Sequence, residues 1–274
     1  MTGVERVEYM TPDGFRLAGL VTVPDPSTLR GWAVMTHGIL ESKDEYGGFY
    51  VDIAAILAER GIGSLRFDFR GHGESSGSTM DISIVGDVID LKSSVKQLPL
   101  EIDEPVALVG TSFGAGPSIL AASGLGRRLS CIALIAPVLD YERTFLHPST
   151  PWAMESFTVE ALRSLDERGY LLLGGDQRLS PRLIEEFRLL RPYEVLSHMS
   201  EPCLIIHGDK DSMVPYDTSA EASRGRANIS LQTLKGADHG FTDSEDDTDT
   251  SAVSLRNRKD LVESISSFVA EHAG

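Results

Sequence analysis

The stretch Gly110-Thr111-Ser112-Phe113-Gly114 places a serine between an apolar run and a segment of small residues. The run before it, 105–109, reads Pro-Val-Ala-Leu-Val and is typical of a strand buried in a parallel sheet. The segment 115–122 is small or apolar and predicts a helix packed closely on that sheet. A G-x-S-x-G turn between a strand and a helix holds the serine Oγ out above the sheet, and its glycines leave room for neighbouring backbone. The stretch therefore predicts that Ser112 is a nucleophile that attacks carbonyl groups.

Strands and helices alternate along most of the chain on both sides of this turn. An antiparallel hairpin is predicted over 4–23, around Pro12-Asp13-Gly14, and the later alternation favours a mainly parallel sheet covered by helices on both faces. The predicted strands after the hairpin are Trp32 to Met35, Gly63 to Phe67, the run before Ser112, Ile132 to Ala136, Cys203 to His207 and Ile229 to Leu234. The predicted helices are Phe49 to Glu59, Ile82 to Leu98, Ala115 to Ala122 and Leu261 to Glu271.

The segment 139–197 breaks this alternation, since it holds helical fragments and turn residues but no strong strand pattern. A connection of that length is seldom a bare loop in a compact domain. We therefore predict a small helical lid inserted into an α/β core made of residues 1–138 and 198–274. A second irregular stretch, 242–250, is rich in Asp, Ser and Thr and predicts a mobile surface loop. The lid carries apolar side chains that either pack it on the core or line a pocket: Phe145, Trp152, Phe157, Tyr170, Leu183, Ile184, Phe187 and Leu190.

A serine hydroxyl needs a neighbouring base, usually a histidine that a carboxylate orients. After a nucleophile elbow the acid comes next in the chain and the histidine last. Seven histidines compete, and His239 meets this order best because it lies in the glycine-containing loop 236–241, directly after a predicted strand. Open α/β sheets place their active sites at that end of the strands. His239 is therefore the predicted base, whereas His207 ends a strand and is expected to pack or hydrogen-bond there.

The stretch 207–215, His-Gly-Asp-Lys-Asp-Ser-Met-Val-Pro, offers two carboxylates for the acid. Asp211 lies beyond the tight turn and can reach back toward the histidine loop, so we predict that it orients His239. Asp209 is the alternative, but its place beside the turn glycine suits a residue that caps the loop. Asp238 is interpreted as a solvated loop charge, since a neighbour of His239 cannot easily place a carboxylate against the outer ring nitrogen.

Stabilising a tetrahedral intermediate also requires two backbone N–H groups near its oxygen. Phe113, the residue after the nucleophile, is predicted to supply the first, and Ile39, after the turn at Gly38, the second. His37 is expected to hydrogen-bond within this loop and shape it. The loop 68–75 is predicted to be structural, because its Asp and His lack the spacing of metal ligands and its glycines do not open a helix as in a phosphate loop.

Composition and charge exclude several classes of protein. A chain of 274 residues that is 41% apolar can bury a sizeable core. A net charge of -16 argues against binding to nucleic acid or to an anionic membrane surface. No apolar run approaches the ~20 residues of a membrane span, and no export signal is visible at the amino terminus. We expect a cytoplasmic protein with buried free thiols at Cys131 and Cys203.

Five motifs together resemble the α/β-hydrolase superfamily over almost the whole chain. They fall in the family's order: H-G at 37–38, D-x-R-G-H-G-x-S at 68–75, G-T-S-F-G at 110–114, G-D-K-D-S-M-V-P at 208–215 and G-A-D-H-G-F at 236–241. The resemblance implies an α/β-hydrolase fold with Ser112, Asp211 and His239 as the catalytic triad. It also implies that Ile39 and Phe113 form the oxyanion hole.

Two segments, 236–244 and 191–195, are similar to those of bacterial feruloyl and cinnamoyl esterases, in which a small lid forms the acyl pocket. The lid of this chain matches them less well, and Gly240 stands where they often carry a cysteine. The resemblance therefore implies the chemistry and not the acyl group.

The sequence thus predicts a serine hydrolase that cleaves an ester whose apolar or aromatic acyl group lies under the lid. It needs no metal or organic cofactor, and its expected partner is a small-molecule ester or thioester. A thioesterase or peptidase with the same triad is the alternative, and a non-catalytic receptor on this scaffold is a third class. The apolar lid leaves both a monomer and a homodimer open. A basic entrance for a carrier-bound thioester could come from Arg127, Arg128, Arg163, Arg168, Arg178 and Arg182.

Overall fold

Eight strands form the central sheet of the computed structural model, which describes residues 3–99, 104–173, 175–245 and 250–273. The first two strands form an antiparallel hairpin, the second pairs antiparallel with β4, and the remaining neighbours run parallel. The order across the sheet is β1 (Gly3–Met10), β2 (Arg16–Val23), β4 (Ile62–Phe67), β3 (Gly31–Thr36), β5 (Val106–Thr111), β6 (Leu129–Ile135), β9 (Cys203–Gly208) and β10 (Ile229–Leu234).

Helices cover both faces of this sheet, as the alternation of the sequence predicts. One apolar core lies between the sheet and the helices α2 (Ile84–Val95), α3 (Ala115–Ala122), α7 (Pro192–His198) and α8 (Tyr216–Ser223). A second core lies under α1 (Phe49–Glu59) and α9 (Ala252–His272). Strand β3 shows how one strand serves both cores. Its Trp32 and Val34 enter the first core while Ala33 and Met35 enter the second, because successive side chains point to opposite faces.

The segment between β6 and β9 is mostly helical but contains a small hairpin. Its elements are a helical turn at Glu142–Leu146, α4 (Pro151–Ser156), α5 (Val159–Arg168), β7 (Leu171–Leu173), β8 (Gln177–Leu179), α6 (Pro181–Leu189) and α7. The expectation of helical fragments without strands is therefore wrong at β7 and β8, which pair antiparallel. Three residues are too few for an alternating pattern to be visible in the sequence. The division of the chain into a core and a lid stays a prediction.

A third apolar core joins this segment to the sheet. Aromatic rings form its centre, and the Phe187 ring centroid lies 4.7 Å from that of Phe145 and 5.5 Å from that of Tyr141. A buried carboxylate adds a polar connection, since Glu186 Oε2 accepts hydrogen bonds from the Ile84 and Val85 N–H groups at 2.5 and 3.3 Å. Those N–H groups open α2 and have no partner within the helix.

Helices α1 and α3 begin and end where the sequence predicts, whereas α9 starts at Ala252 rather than at Leu261. Ser251 caps this early start, because its Oγ accepts a hydrogen bond from the Ser254 N–H at 3.0 Å. Of the predicted mobile loop, residues 246–249 lie outside the described residues. No helix in the described part of the chain has the length and apolar character to cross a membrane.

Candidate active site

Ser112 occupies a strained turn directly after β5. Its φ is +50°, a left-handed conformation that non-glycine residues adopt rarely and that is typical of functional sites. Both flanking glycines are required, as predicted. A Cβ on Gly114 would lie 2.3 Å from the His37 carbonyl oxygen, and one on Gly110 would lie 2.8 Å from the Ala115 Cα.

The structure brings the predicted nucleophile, base and acid together from three loops. His239 Nε2 lies 3.0 Å from Ser112 Oγ, across 127 positions of sequence. On the other side of the ring, His239 Nδ1 lies 2.7 Å from Asp211 Oδ2. The three residues follow β5, β9 and β10, and the carboxyl ends of parallel strands meet at one edge of a sheet. The hydrogen-bond line Ser112–His239–Asp211 is the arrangement in which a histidine can accept the serine proton.

Asp211 is held by four hydrogen bonds and its side chain is fully buried. Oδ1 accepts from the Met213 and Val214 N–H groups at 2.8 and 2.7 Å. Oδ2 accepts from His207 Nε2 at 3.0 Å in addition to His239. Burial alone would raise the pKa of Asp211, but its two histidine partners hold that pKa well below its ordinary value. Asp211 is therefore an ionised carboxylate aimed at His239.

His239 is shielded on most sides, with 16% of its side chain exposed. Burial opposes the charged form of the ring, but the Asp211 carboxylate outweighs it and raises the pKa of His239 above its usual value. The ring is neutral, and able to accept a proton, above that pKa.

The loops that carry Asp211 and His239 touch each other closely. A Cβ on Gly208 would lie 2.2 Å from the Ala237 carbonyl oxygen, so only glycine fits there. Asp209 has a capping role but in the neighbouring histidine loop rather than in its own, because its Oδ1 accepts from the Gly236 N–H at 2.7 Å.

Asp238 is the residue at which the sequence interpretation is wrong. Its carboxylate is not a free loop charge, since it accepts hydrogen bonds from the Ser212 N–H at 2.7 Å and from Ser212 Oγ at 3.1 Å. The close contact of the two loops makes this possible, and the partner lies 26 positions away in sequence. Asp238 therefore links the histidine loop, 236–241, to the loop after β9 that carries Asp211, which we call the acid loop (209–215).

The loop after β3 lies directly beside Ser112. A Cβ on Gly38 would be 3.4 Å from the Ser112 Cβ. The Ile39 N–H has no hydrogen-bond partner among the described residues. Phe113 is the second residue of a helical turn, where N–H groups have no partner within the helix. Ile39 and Phe113, the two predicted oxyanion donors, line the same cavity as Ser112.

Polar residues behind this loop fix its shape. His37 Nδ1 donates to the Gly38 carbonyl oxygen at 2.8 Å and its Nε2 accepts from the Phe69 N–H at 3.0 Å, as the predicted shaping role requires. Burial lowers the pKa of His37, so the ring is neutral. The predicted structural loop 68–75 also contributes, since His72 Nε2 accepts from the Leu40 N–H and Asp68 Oδ1 accepts from the Lys43 N–H.

A cavity of about 270 Å³ opens above Ser112. Phe145 and Trp152 from the lid segment form part of its wall, and Val138, Met213 and Val214 add apolar surface. Within the described ranges no Lys or Arg lines this cavity, whereas Glu41, Glu45 and Asp238 do. Nothing in the sequence distinguishes Glu41 or Glu45, because a glutamate in a polar loop carries no visible signal of burial.

Comparison with known proteins agrees with this fold and places the chain in a family. Residues 33–252 match the alpha/beta hydrolase family, and the chain belongs to it. The predicted superfamily and fold are thereby confirmed.

Individual proteins of known sequence share about a third or less of their aligned residues with this chain. The polyketide transferase grgF of Penicillium sp is 34% identical over 139 residues, which is 49% of this chain and 45% of that protein. The uncharacterized protein YfhR of Escherichia coli O157:H7 is 27% identical over 217 residues, 78% of this chain and 66% of that protein. The chain thus spans about half the length of the first relative.

Among solved structures, Est1E from Butyrivibrio proteoclasticus with bound ferulic acid superposes with a TM-score of 0.75 at 21% sequence identity. The superposition covers 97% of this chain and 99% of Est1E. At this identity the likeness shows a shared fold.

Proposed function

We propose that this protein is a serine hydrolase that cleaves a carboxylic ester of a small molecule. The observation that carries the proposal is the unbroken hydrogen-bond line from Ser112 Oγ through the His239 ring to Asp211. The proposal is also supported by the strained conformation of Ser112, by the four hydrogen bonds that the Asp211 carboxylate accepts and by the membership of this chain in the alpha/beta hydrolase family.

The proposed reaction follows from these contacts. Ser112 Oγ attacks the ester carbonyl carbon while His239 Nε2 accepts the hydroxyl proton, and His239 then gives that proton to the leaving alcohol. Asp211 keeps the Nδ1 proton of His239 in place and stabilises the imidazolium. The N–H groups of Phe113 and Ile39 donate to the oxygen that becomes negative. Water, activated by His239 in the same way, then hydrolyses the acyl-enzyme.

The walls of the cavity favour an apolar or aromatic acyl group. Phe145 and Trp152 face it from the lid segment and Phe49 and Phe241 from the core. Est1E, which shares the fold, holds ferulic acid, so feruloyl esters belong in a substrate panel for this chain.

Acyl transfer from a thioester is the second candidate, because the Penicillium relative is a polyketide transferase. A carrier-bound thioester favours a basic entrance, yet none of the six arginines considered for that purpose lines the cavity in the described part of the chain. Arg127 and Arg128 directly precede β6 and so lie at the amino end of the strands, opposite Ser112. Simple ester hydrolysis is for this reason the first candidate.

The test combines covalent labelling with turnover. Wild-type protein, Ser112→Ala and the exposed control Ser123→Ala are treated with a fluorophosphonate probe and assayed with p-nitrophenyl butyrate. We expect labelling and turnover in the wild type and in Ser123→Ala, and neither in Ser112→Ala. Turnover by folded Ser112→Ala at the wild-type rate would refute the assignment. A butyryl ester, butyryl-coenzyme A and a butyryl anilide, compared with and without an acceptor alcohol, separate the esterase from the thioesterase, peptidase and transferase.

A cytoplasmic location, a monomer or homodimer, and the lack of nucleic-acid and membrane partners stay predictions from the sequence.

A further inference from the structure

A second buried carboxylate lies beside the site, and the proposed triad does not use it. Glu45 is 7% exposed and lines the cavity above Ser112. Its φ is +62°, and Leu40 in the same loop has a φ of +64°. Two non-glycine residues in the left-handed region within one loop require contacts that hold them there.

The Glu45 side chain supplies such contacts to the loop beside Ser112. Its Oε2 accepts a hydrogen bond from the Gly38 N–H at 2.8 Å, and its Oε1 accepts from the Tyr46 N–H at 3.2 Å. The Gly38 N–H is thereby occupied, whereas the next N–H along the chain, that of Ile39, has no partner among the described residues. The carboxylate thus occupies the Gly38 N–H and anchors the backbone directly before Ile39.

We propose that Glu45 is a positioning residue for the reaction: its carboxylate binds the Gly38 N–H and so holds the Ile39 N–H in place as oxyanion donor. This role rests on the proposed function, because it matters only if an oxyanion forms at Ser112. In this role Glu45 does not touch the reacting atoms. It acts through the backbone of the loop and through its charge.

The charge of Glu45 also acts on the base. Its titratable neighbours are Glu41 and Tyr46 in its own loop, Tyr50 on α1, and His239 on the loop after β10. Burial raises the pKa of Glu45 to about 7, which the hydrogen bonds from Gly38 and Tyr46 oppose. An ionised Glu45 favours the imidazolium form of His239 and is, after Asp211, a source of that residue's raised pKa. Removing the charge is therefore expected to lower the pKa of His239.

Two substitutions separate the hydrogen bond from the charge. Glu45→Gln keeps an oxygen that can accept from the Gly38 N–H but is neutral, whereas Glu45→Ala removes both. The matched control is Glu186, equally buried at 7% exposure and also bound to backbone N–H groups, but at the start of α2 rather than in the cavity. All variants are assayed with p-nitrophenyl butyrate for kcat and KM from pH 5.5 to 9, together with thermal unfolding and fluorophosphonate labelling.

We expect Glu45→Ala to lower kcat by about 10- to 100-fold, less than complete loss of an oxyanion donor, with a smaller change in KM. Glu45→Gln should recover most of kcat and move the acid limb of the pH profile to lower pH by about half a unit. Glu186→Gln and Glu186→Ala should lower the unfolding temperature without moving the acid limb.

Several results would overturn the role of Glu45. One is wild-type kcat in Glu45→Ala, and another is a loss in Glu45→Gln as large as in Glu45→Ala with an unmoved acid limb. If Glu45→Ala does not fold, Glu45→Asp takes its place, because its shorter side chain keeps the charge but withdraws the carboxylate from the Gly38 N–H; a wild-type kcat in Glu45→Asp would overturn the role. Failure of the proposed function is a different result, since the wild type would then resist the probe and Ser112→Ala would remain active.

Discussion

The floor and the roof of the cavity above Ser112 are held together by different forces. The floor consists of the loops after β3, β5, β9 and β10. Hydrogen bonds fix the polar groups of these loops, and the Asp211 carboxylate alone accepts four hydrogen bonds. The roof comes from the segment between β6 and β9, where aromatic rings pack at centroid distances of 4.7 to 6.3 Å. Hydrogen bonds fix directions, whereas apolar packing mainly fixes volume. We therefore expect floor substitutions to change the rate of the chemical step and roof substitutions to change stability and substrate binding.

The largest effect should come from the floor. Asp211→Asn keeps the shape of the side chain but presents an N–H to His239 Nδ1, which forces the ring into the wrong tautomer. A loss of kcat on the order of 10⁴-fold is expected, as in other triads. The unfolding temperature should also fall, because the lowered pKa of Asp211 shows that its ionised form stabilises the fold, so the assay is run well below the melting temperature of the variant. The measurement is kcat with p-nitrophenyl butyrate beside a thermal melt.

Asp209→Asn is the matched control, because Asp209 is the other carboxylate of the same loop and accepts from the Gly236 N–H rather than from His239. Asp209→Asn should lower kcat far less than Asp211→Asn does. An equal loss in both variants would mean that the loop as a whole, and not the bond to His239, sets the rate.

The next largest effect should come from the roof and appear as lost stability. Phe187 is fully buried among Phe113, Tyr141, Phe145 and Phe157, and Phe187→Ala should lower the free energy of unfolding by about 3–5 kcal/mol. Leu189→Ala, two residues along the same helix but 74% exposed, should change it by no more than about 0.5 kcal/mol. Denaturant unfolding measures both free energies, and kcat is measured without denaturant at a temperature at which each variant is folded. A kcat as low as that of Asp211→Asn would contradict the division of roles.

The same division explains what the sequence could predict. The floor follows from strands that end in fixed motifs, so Ser112, Asp211 and His239 were predictable from chain order and strand position. Helices α1 and α3 were predictable because their apolar faces and the residues at their ends are local signals. Contacts between loops were not, and Asp238 and Glu45 show why. Their partners, Ser212 and Gly38, are set by how two turns approach each other in space.

The roof was predictable as a region but not in detail. Its apolar residues at helical spacing predicted a packed helix, and Leu183, Ile184 and Phe187 are buried in α6. The hairpin of β7 and β8 was missed because each strand has only three residues, too few to show an alternating pattern. Apolar packing leaves a pattern of burial in the sequence but no record of which ring meets which.

A smaller effect should come from His207, which shares Asp211 Oδ2 with His239 and bonds Ser219 Oγ through its other ring nitrogen. With His239 as the proposed base, activity requires its neutral form. Because the pKa of His239 is raised above its usual value, kcat/KM should fall as the pH drops through a midpoint at that raised pKa. His207→Phe removes one donor from the carboxylate, which then favours the imidazolium more strongly. The midpoint should move to higher pH and kcat should drop by about 10-fold.

Ser219→Ala is the control for this substitution, since it removes the far hydrogen bond of His207 and leaves the contact with Asp211. Its midpoint should stay closer to that of the wild type. An unmoved midpoint in His207→Phe would show that His239 alone determines the state of the carboxylate, and the floor would then be less interconnected than its hydrogen bonds indicate.

The smallest effect should come from Trp152, a roof residue that lines the cavity and is only partly buried. The Trp152 ring packs edge-on against the Phe157 ring, with 6.0 Å between their centroids. The backbone N–H of Trp152 donates to the Ser212 carbonyl oxygen of the acid loop at 3.2 Å, and a substitution of the side chain leaves this contact intact. Trp152→Ala should therefore raise KM for an aromatic ester by about 5- to 10-fold, the loss of roughly 1 kcal/mol of apolar contact, and leave kcat within about 3-fold. A p-nitrophenyl acetate assay on the same variant is the control, because an acetyl group is too short to need the roof. A fall in kcat for both esters would mean that Trp152 holds the acid loop in place, and the roof would then share in the chemistry that we assign to the floor.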